Sequence, residues 1–294
     1  MHTPLTPAAR AESLIEALPY IQKFRGQTFV IKYGGAAMEE DQIVERFLRD
    51  IVFLEAVGIN PVLVHGGGKA ITSRMRDAGL KAQFVNGLRV TDKDSIKIVE
   101  DTLDQEINPK IVETLTRYGG KAVGFSGKTI FGAKRMGPQR LDNGEQIDIG
   151  FVGAAASIND QAIRATIREE IVPVISPIGA DESGVVLNIN ADVAAAALAA
   201  SLKASKLIFV SDVPGIMRDP SVKDSLIPTV RSADVEVLIK EKIVDGGMIP
   251  KVQSAMDALR NGVGKIHMIG GQTLHCLLLE IFTNAGIGTE IIPE

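Results

Sequence analysis

The chain has 294 residues, 45% of them hydrophobic and 23% charged, a globular balance with length for one large α/β unit or two fused lobes. Thirty-two basic against thirty-six acidic residues give a net charge of −4 with no Lys/Arg-rich run, which argues against nucleic acid as a partner. No apolar stretch approaches the ~18 residues of a membrane span, no signal-peptide layout opens the chain, and the single cysteine, Cys276, excludes internal disulfides and cysteine metal clusters, so the cytoplasm is expected.

Leu14, Leu18, Ile21 and Phe24 recur at helical spacing, with Pro19 inside the pattern. Proline removes a backbone donor and clashes one turn back, so a kinked helix is expected here. Its stripe packs either on its own core or on another subunit. A strand over 28–32 then runs into Lys32-Tyr33-Gly34-Gly35, and after a helical pattern over 40–56 a strand over 59–65 runs into His65-Gly66-Gly67-Gly68-Lys69. Glycines at the carboxyl ends of strands let backbone N–H groups approach an anion, and a following helix N-terminus adds partial positive charge. Tight turns are the alternative for one such loop; two are harder to dismiss.

A long helical pattern over 94–118 is expected to break at Pro109, and a strand follows over 121–125. Gly127-Lys128-Thr129 then imitates a P-loop, but that motif needs a helix opening at its Lys-Thr, and 130–140 has no helical period. Gly132, Gly137, Pro138 and Asn143-Gly144 suggest a hairpin excursion instead. The dinucleotide fingerprint fails as well, with Ile71 where its third glycine belongs. Helical patterns over 159–169, 191–202, 233–241 and 251–261 alternate with strands over 171–176, 206–210 and 265–269. Near-continuous apolar strands separated by helices read as a parallel sheet covered on both faces.

Several polar residues stand where their local setting is unfavourable. Lys32 ends a buried-looking strand, and Lys251 follows Pro250 at a helix start, where an ammonium opposes the helix dipole. Asn188 and Asn190 lie in a strand-like run that normally disfavours asparagine. Arg89 carries a fork suited to a carboxylate, or forms a surface ion pair. Asp192 alone reads equally well as an ordinary first-turn acid. Cys276 in the run 274–281 reads as inert core.

Taken in order, Lys32-Tyr-Gly-Gly, Val64-His-Gly-Gly-Gly, Asn86-Gly-Leu-Arg89-Val, Asn188-Ile-Asn190-Ala-Asp192, Ser211-Asp212-Val-Pro-Gly215 and Gly246-Gly-Met-Ile-Pro-Lys251 resemble the N-acetylglutamate kinase family of the amino-acid kinase superfamily. The resemblance implies a three-layer αβα sandwich around a mainly parallel eight-stranded sheet, with a kinked N-terminal helical arm over 1–26. It places the acyl substrate in a lobe over 27–200 and the nucleotide in a lobe over 201–294. It makes Lys32, Lys251 and Asp192 catalytic, with Gly67, Gly68, Arg89, Asn188 and Asn190 around N-acetylglutamate. Gly34, Gly35, Ser211, Asp212, Val213, Pro214, Gly215, Ile216, Ile243, Val244 and Asp245 would meet ATP, whose Mg²⁺ rides on the nucleotide rather than on a protein metal site. The resemblance further implies a homo-oligomer, at least a dimer and in members with the extra helix a hexamer, inhibited by arginine near Tyr20, His267, Glu280 and Gly286. One departure is Gly270-Gly271-Gln272, where arginine-sensitive members often carry Asp-Gly-Arg. Kinases of the superfamily acting on glutamate, aspartate, carbamate or UMP, and a non-catalytic amino-acid sensor on the same fold, are the competing readings.

A glutamate side chain ionises near pH 4.3, so a carboxylate acceptor needs no general base. The obstacle is repulsion between anions, ~1 kcal/mol per unit-charge pair at about 4 Å in water and about 4 kcal/mol at an effective dielectric of 20. Paired lysines and glycine-loop amides answer that obstacle.

Overall fold

The computed structural model describes residues 6–38, 40–141, 144–222 and 224–294, so Asn143 of the expected hairpin lies outside the described residues. Its main sheet has eight strands, in the order Thr229–Arg231, Thr289–Ile292, Lys265–Gly270, Lys206–Ser211, Thr28–Tyr33, Asn60–His65, Val172–Ile175 and Ala122–Phe125. Neighbours run parallel except Lys265–Gly270 with Thr289–Ile292. Alternation along the strands divides the core in two. Phe29, Ile31 and Leu63 pack against Leu48 and Ile51 of helix Asp41–Ala56 and Leu115 of helix Asn108–Arg117. Val30, Val64 and Phe209 turn to the other face, against Leu198 of helix Ala191–Leu202 and Val252 of helix Met248–Arg260. This is the expected αβα sandwich. The six strands read from sequence are all present, because strands buried on both faces are nearly continuous apolar runs.

The helical run over 94–118 is not interrupted at Pro109. Helix Lys93–Asp101 passes through a π-helical turn, Thr102–Ile107, into helix Asn108–Arg117. Pro109 falls in the first turn of that last helix, directly after the π-helical turn, a local irregularity that accommodates its missing N–H. The excursion expected after residue 131 forms antiparallel strands Gln139–Arg140 and Gln146–Ile147, flanked by strands that were not foreseen. Phe131–Arg135, Val152–Ile158, Ile178–Ala180 and Val186–Ile189 close into a small barrel over the main sheet's carboxyl edge. Val152–Ile158 is mostly glycine, alanine and serine, which gives little strand signal.

Helix Pro7–Phe24 runs through Pro19, which leaves the Ile15 carbonyl without its usual donor. Its two ends differ. Phe24 is buried in an edge-to-face pair with Phe29, and Tyr20 O–H donates to Asn284 Oδ1. Leu14 and Ile15 are 67% exposed and Leu18 42%.

Candidate active site

Two cavities open at the carboxyl ends of the sheet strands, the usual ligand edge of an open α/β sheet. The smaller, about 260 Å³, is lined by Lys32, Gly34, Gly35, the Gly66–Gly68 loop, Arg89, Asn188, Asn190 and Asp192. The larger, about 740 Å³, is lined by Lys32, Gly35, Ser211 to Met217, Ile243, Asp245, Met248 and Lys251. Lys32 and Gly35 belong to both, so they mark the junction. A cavity of about 910 Å³ lies away from this edge, between the Val235–Lys240 and Met248–Arg260 helices; its lining holds none of the glycine-loop or lysine groups.

At the junction one carboxylate holds two ammonium groups. Lys32 Nζ is 3.2 Å from Asp192 Oδ1, and Lys251 Nζ is 2.7 Å from Asp192 Oδ2. The side chains of Lys32, Asp192 and Lys251 are only 12%, 17% and 11% exposed. Local sequence explains the meeting. Period-two alternation turns Lys32 to the face of Val30, which is the face covered by helices Ala191–Leu202 and Met248–Arg260. Asp192 sits in the first turn of the former, where a negative charge suits the dipole, and Lys251 in the first turn of the latter. Burial pushes the Asp192 carboxyl up, but Lys32 and Lys251 outweigh it and hold the group below its usual range. Burial pulls Lys251 below the usual ammonium range, opposed by Asp192. The Lys251 ammonium also lies 5.3 Å from the Phe209 ring centroid.

Glycine is favoured here by backbone conformation at Gly35 and by the side chains it leaves in place. A Cβ on Gly35 would meet the Asp212 carboxylate, and its φ is +68°; a Cβ on Gly34 would lie 2.8 Å from Lys32 Nζ.

Arg89 is buried beside the Gly66–Gly68 loop. Its Nη2 donates to Gly68 O at 2.7 Å and Thr72 Oγ1 at 2.8 Å, Nη1 to Met75 sulfur, and the guanidinium lies 4.7 Å from the Phe84 ring centroid. Of its five donors, two are left without a protein acceptor among the described residues. Asn188 Nδ2 donates to Thr91 Oγ1. Asn190 faces the same cavity, but its Oδ1 already caps helix Ala191–Leu202, accepting from Asp192 N at 2.8 Å. The asparagine at 190 is thus explained by the helix start, a signal readable as Asn-x-Asp before an alanine run.

Two expected placements change. Gly34 lines the smaller cavity rather than the larger. Val244 is fully buried in the core, while Ile243 and Asp245 on either side reach the larger cavity. Met217 and Met248, not singled out in the sequence, add apolar walls there. The imitation P-loop is a single 3₁₀ turn, Gly127–Thr129, leading to a strand, and Lys128 Nζ bonds Glu100.

A second polar cluster lies at the opposite ends of the strands. Lys206 Nζ is 2.7 Å from His267 Nε2, and His267 Nδ1 is 2.6 Å from Glu280 Oε1. Glu280 Oε2 accepts from Ile287 N and Gly288 N, and Gly286 leaves no room for a side chain against it. Lys206 also covers the Phe24 ring at 5.1 Å, which ties the cluster to the N-terminal helix. Tyr20 joins this edge through Asn284. Lys206 was missed in the sequence because nothing local marks a strand's first lysine as buried.

Among the described residues no group of three or more His, Cys, Asp or Glu is placed to hold a metal ion. No described helix is long and apolar enough to cross a membrane.

Residues 27–270 match the model of the amino acid kinase family. The acetylglutamate kinase of Akkermansia muciniphila is 52% identical over 287 residues, covering 97% of this chain and 96% of that protein. That of Archaeoglobus fulgidus is 48% identical over 286 residues, covering 96% and 99%. Among solved structures, the N-acetylglutamate synthase of Neisseria gonorrhoeae in complex with coenzyme A and N-acetylglutamate superposes with a TM-score of 0.83 at 26% identity, covering 97% of this chain. The chain spans 63% of that synthase's length. The same synthase with coenzyme A and L-arginine gives 0.80 at 25% identity, covering 97% of this chain and 65% of that one.

Proposed function

This chain belongs to the amino acid kinase family and, within it, to the acetylglutamate kinases, and from that premise we propose how its two cavities share one reaction. The smaller cavity, in the part of the chain before residue 200, takes N-acetyl-L-glutamate, and the larger, mostly from residues after 201, takes ATP. The reaction gives N-acetyl-L-glutamyl 5-phosphate and ADP, a step of arginine biosynthesis in the cytoplasm. The single observation that carries this reading is Lys32 on the wall of both cavities, joined through Asp192 to Lys251 on the wall of one.

The acceptor carboxylate is already ionised at neutral pH, so nothing in the site has to remove a proton. Its oxygen bonds to the γ-phosphorus as the bond from that phosphorus to the β–γ bridging oxygen breaks, and the electron pair leaves with ADP. Lys32, at the junction, neutralises the transferring group from both sides. Lys251, on the nucleotide side, meets the charge that accumulates on the departing phosphate. Asp192 orients both ammoniums without cancelling them, since two positive charges share one negative. Arg89, with two donors left over, and Asn188 hold the acceptor's α-carboxylate and acetamide end; Gly35, Gly67 and Gly68 offer amides. A magnesium ion carried by the phosphates supplies further charge neutralisation. Alignment and electrostatics then account for the rate.

The Lys206–His267–Glu280 cluster is the place for arginine, whose guanidinium suits the Glu280 carboxylate. The synthase structure in complex with L-arginine supports arginine as a ligand of a similar fold. The exposed Leu14, Ile15 and Leu18 support an arm that buries its stripe on another subunit in a hexamer.

ADP release with N-acetylglutamate, glutamate, aspartate, carbamate and UMP offered in turn tests the acceptor. Turnover confined to N-acetylglutamate is expected. Turnover with another acceptor alone, or with none, overturns the assignment. Arginine titrated into the same assay should slow the wild-type enzyme and not Glu280→Gln; an equal response in both removes Glu280 from the regulatory site.

A further inference from the structure

His65 ends the strand that delivers the glycine loop, is fully buried, and touches neither cavity. Its hydrogen bonds form a chain whose direction is fixed at both ends by main-chain carbonyls, which can only accept. At one end Asn108 Nδ2 lies 2.9 Å from Val174 O, so the amide nitrogen and not the oxygen must face that carbonyl. The same nitrogen lies 3.2 Å from His65 Nε2 and gives its second hydrogen there, which requires Nε2 to be bare. At the other end His65 Nδ1 lies 3.0 Å from Gly66 O and must therefore carry the ring proton. An imidazolium would set a second N–H against the Asn108 amide, and burial draws His65 down to about 4, in the same sense.

The chain ends on the peptide that matters. In a trans peptide the carbonyl and the next N–H point to opposite sides, and no cis bond occurs among the described residues. With Gly66 O drawn inward by His65, the Gly67 N–H is turned outward, toward the cavity that Gly67 lines. That N–H has no protein acceptor among the described residues, whereas the neighbouring Gly66 N–H is spent on Tyr33 O at 2.7 Å. Sequence features far apart serve this one bond. Helix Asn108–Arg117 begins at Asn108 directly after the π-helical turn, and a Cβ on Gly124 would meet the Asn108 side chain.

We propose that His65, held by Asn108 as its neutral Nδ1–H tautomer, is a positioning residue that aims the Gly67 amide at the transferring phosphoryl group. The inference rests on the phosphoryl-transfer reading of the junction. It assigns His65 no proton transfer; it acts through Gly66. A preorganised donor aimed at charge that develops in the transition state moves the turnover rate more than substrate binding.

Two measurements on the full-length protein test it. The ring ¹⁵N spectrum, with the His65 signals identified by their loss in His65→Asn, should show a pyrrole-type Nδ1 and a pyridine-type Nε2 near neutral pH. The reverse tautomer or an imidazolium overturns the proposal. In steady-state assays normalised to folded protein, His65→Ala should lower kcat by roughly 10- to 100-fold, with KM for N-acetylglutamate within about threefold. His65→Asn, whose amide N–H can replace Nδ1–H toward Gly66 O, should recover much of the loss and shows that folding alone is not being read. Unchanged kcat in folded His65→Ala, or a loss confined to KM, overturns it. An inactive wild-type protein would instead count against the phosphoryl-transfer reading, and the tautomer would still be read from its spectrum.

Discussion

Lys206 and Lys251 are both buried ammoniums, and their partners set them apart. Lys251 has Asp192 at 2.7 Å, whereas the nearest partner of Lys206 is a neutral ring nitrogen of His267, with Glu280 one step beyond. Burial, and then the charge of Lys265, draws Lys206 down to about 8. A lysine whose folded value lies below its unfolded value of about 10.4 destabilises the fold fully below pH ~8, and that cost fades as pH rises through this window. Lys206→Met should therefore exceed the wild type in unfolding free energy at about pH 7, by an amount on the order of 3 kcal/mol at most, and lose the advantage toward about pH 10. Denaturant titrations across that range check it; a constant difference, or one that grows with pH, contradicts the placement. Residues of this kind divide by how far their partners lie along the chain. Lys32 and Lys251 were legible because each is locally out of place, in a strand and at a helix start. Lys206 and Val244 were not, because their roles depend on contacts with distant segments. Asn190 was half legible: the chain shows a polar residue in an odd setting, and only the helix beginning beside it shows that capping uses the oxygen.

The N-terminal helix buries Phe24 and leaves Leu14, Ile15 and Leu18 in solvent, so one element is half core and half unpartnered surface. At about 25 cal/mol per Å², fully burying such a side chain is worth roughly 1.5–3 kcal/mol, and covering the part of each still exposed gains a corresponding share. That is enough, in a repeated interface, to hold subunits together. If the proposed arm holds subunits together, Leu14→Asp with Leu18→Asp should sediment as a smaller species than the wild type, with helical content retained. A mass unchanged from wild type, or a wild-type protein that is already monomeric or dimeric, removes the arm. The two expectations for this stripe, own core and partner subunit, both had a basis in the spacing, since periodicity shows that a face is apolar and not what covers it. The same limit explains the sheet. Its central strands are buried on both faces and announce themselves as apolar runs. The barrel strands Val152–Ile158 and Ile178–Ala180 use small residues at close approach, as the crowding around Gly153 and Gly179 shows, and carry no such run.

Across the molecule, strand Lys206–Ser211 joins the two polar clusters. Lys206 stands at its start in the Lys206–His267–Glu280 cluster and Ser211 at its end on the wall of the larger cavity, about 17 Å away at ~3.3 Å per residue. Its neighbour Lys265–Gly270 carries His267 in the same register, beside Ile208. On the proposed reading, a ligand that displaces Lys206 or His267 would act on the strand that ends at the larger cavity. The order of the loops and lysines made the family readable, because those motifs recur in sequence order. The meeting of Lys32, Asp192 and Lys251 from three separate elements is a property of the fold and required coordinates. On the proposed mechanism these groups, and not the imitation P-loop, carry the phosphoryl transfer. Turnover of Lys32→Ala, Lys251→Ala and Lys128→Ala at saturating ATP and N-acetylglutamate tests it most directly. A fall of about 10²–10³ is expected for each of the first two and a change within about threefold for Lys128→Ala. An active Lys32→Ala beside an inactive Lys128→Ala would contradict it.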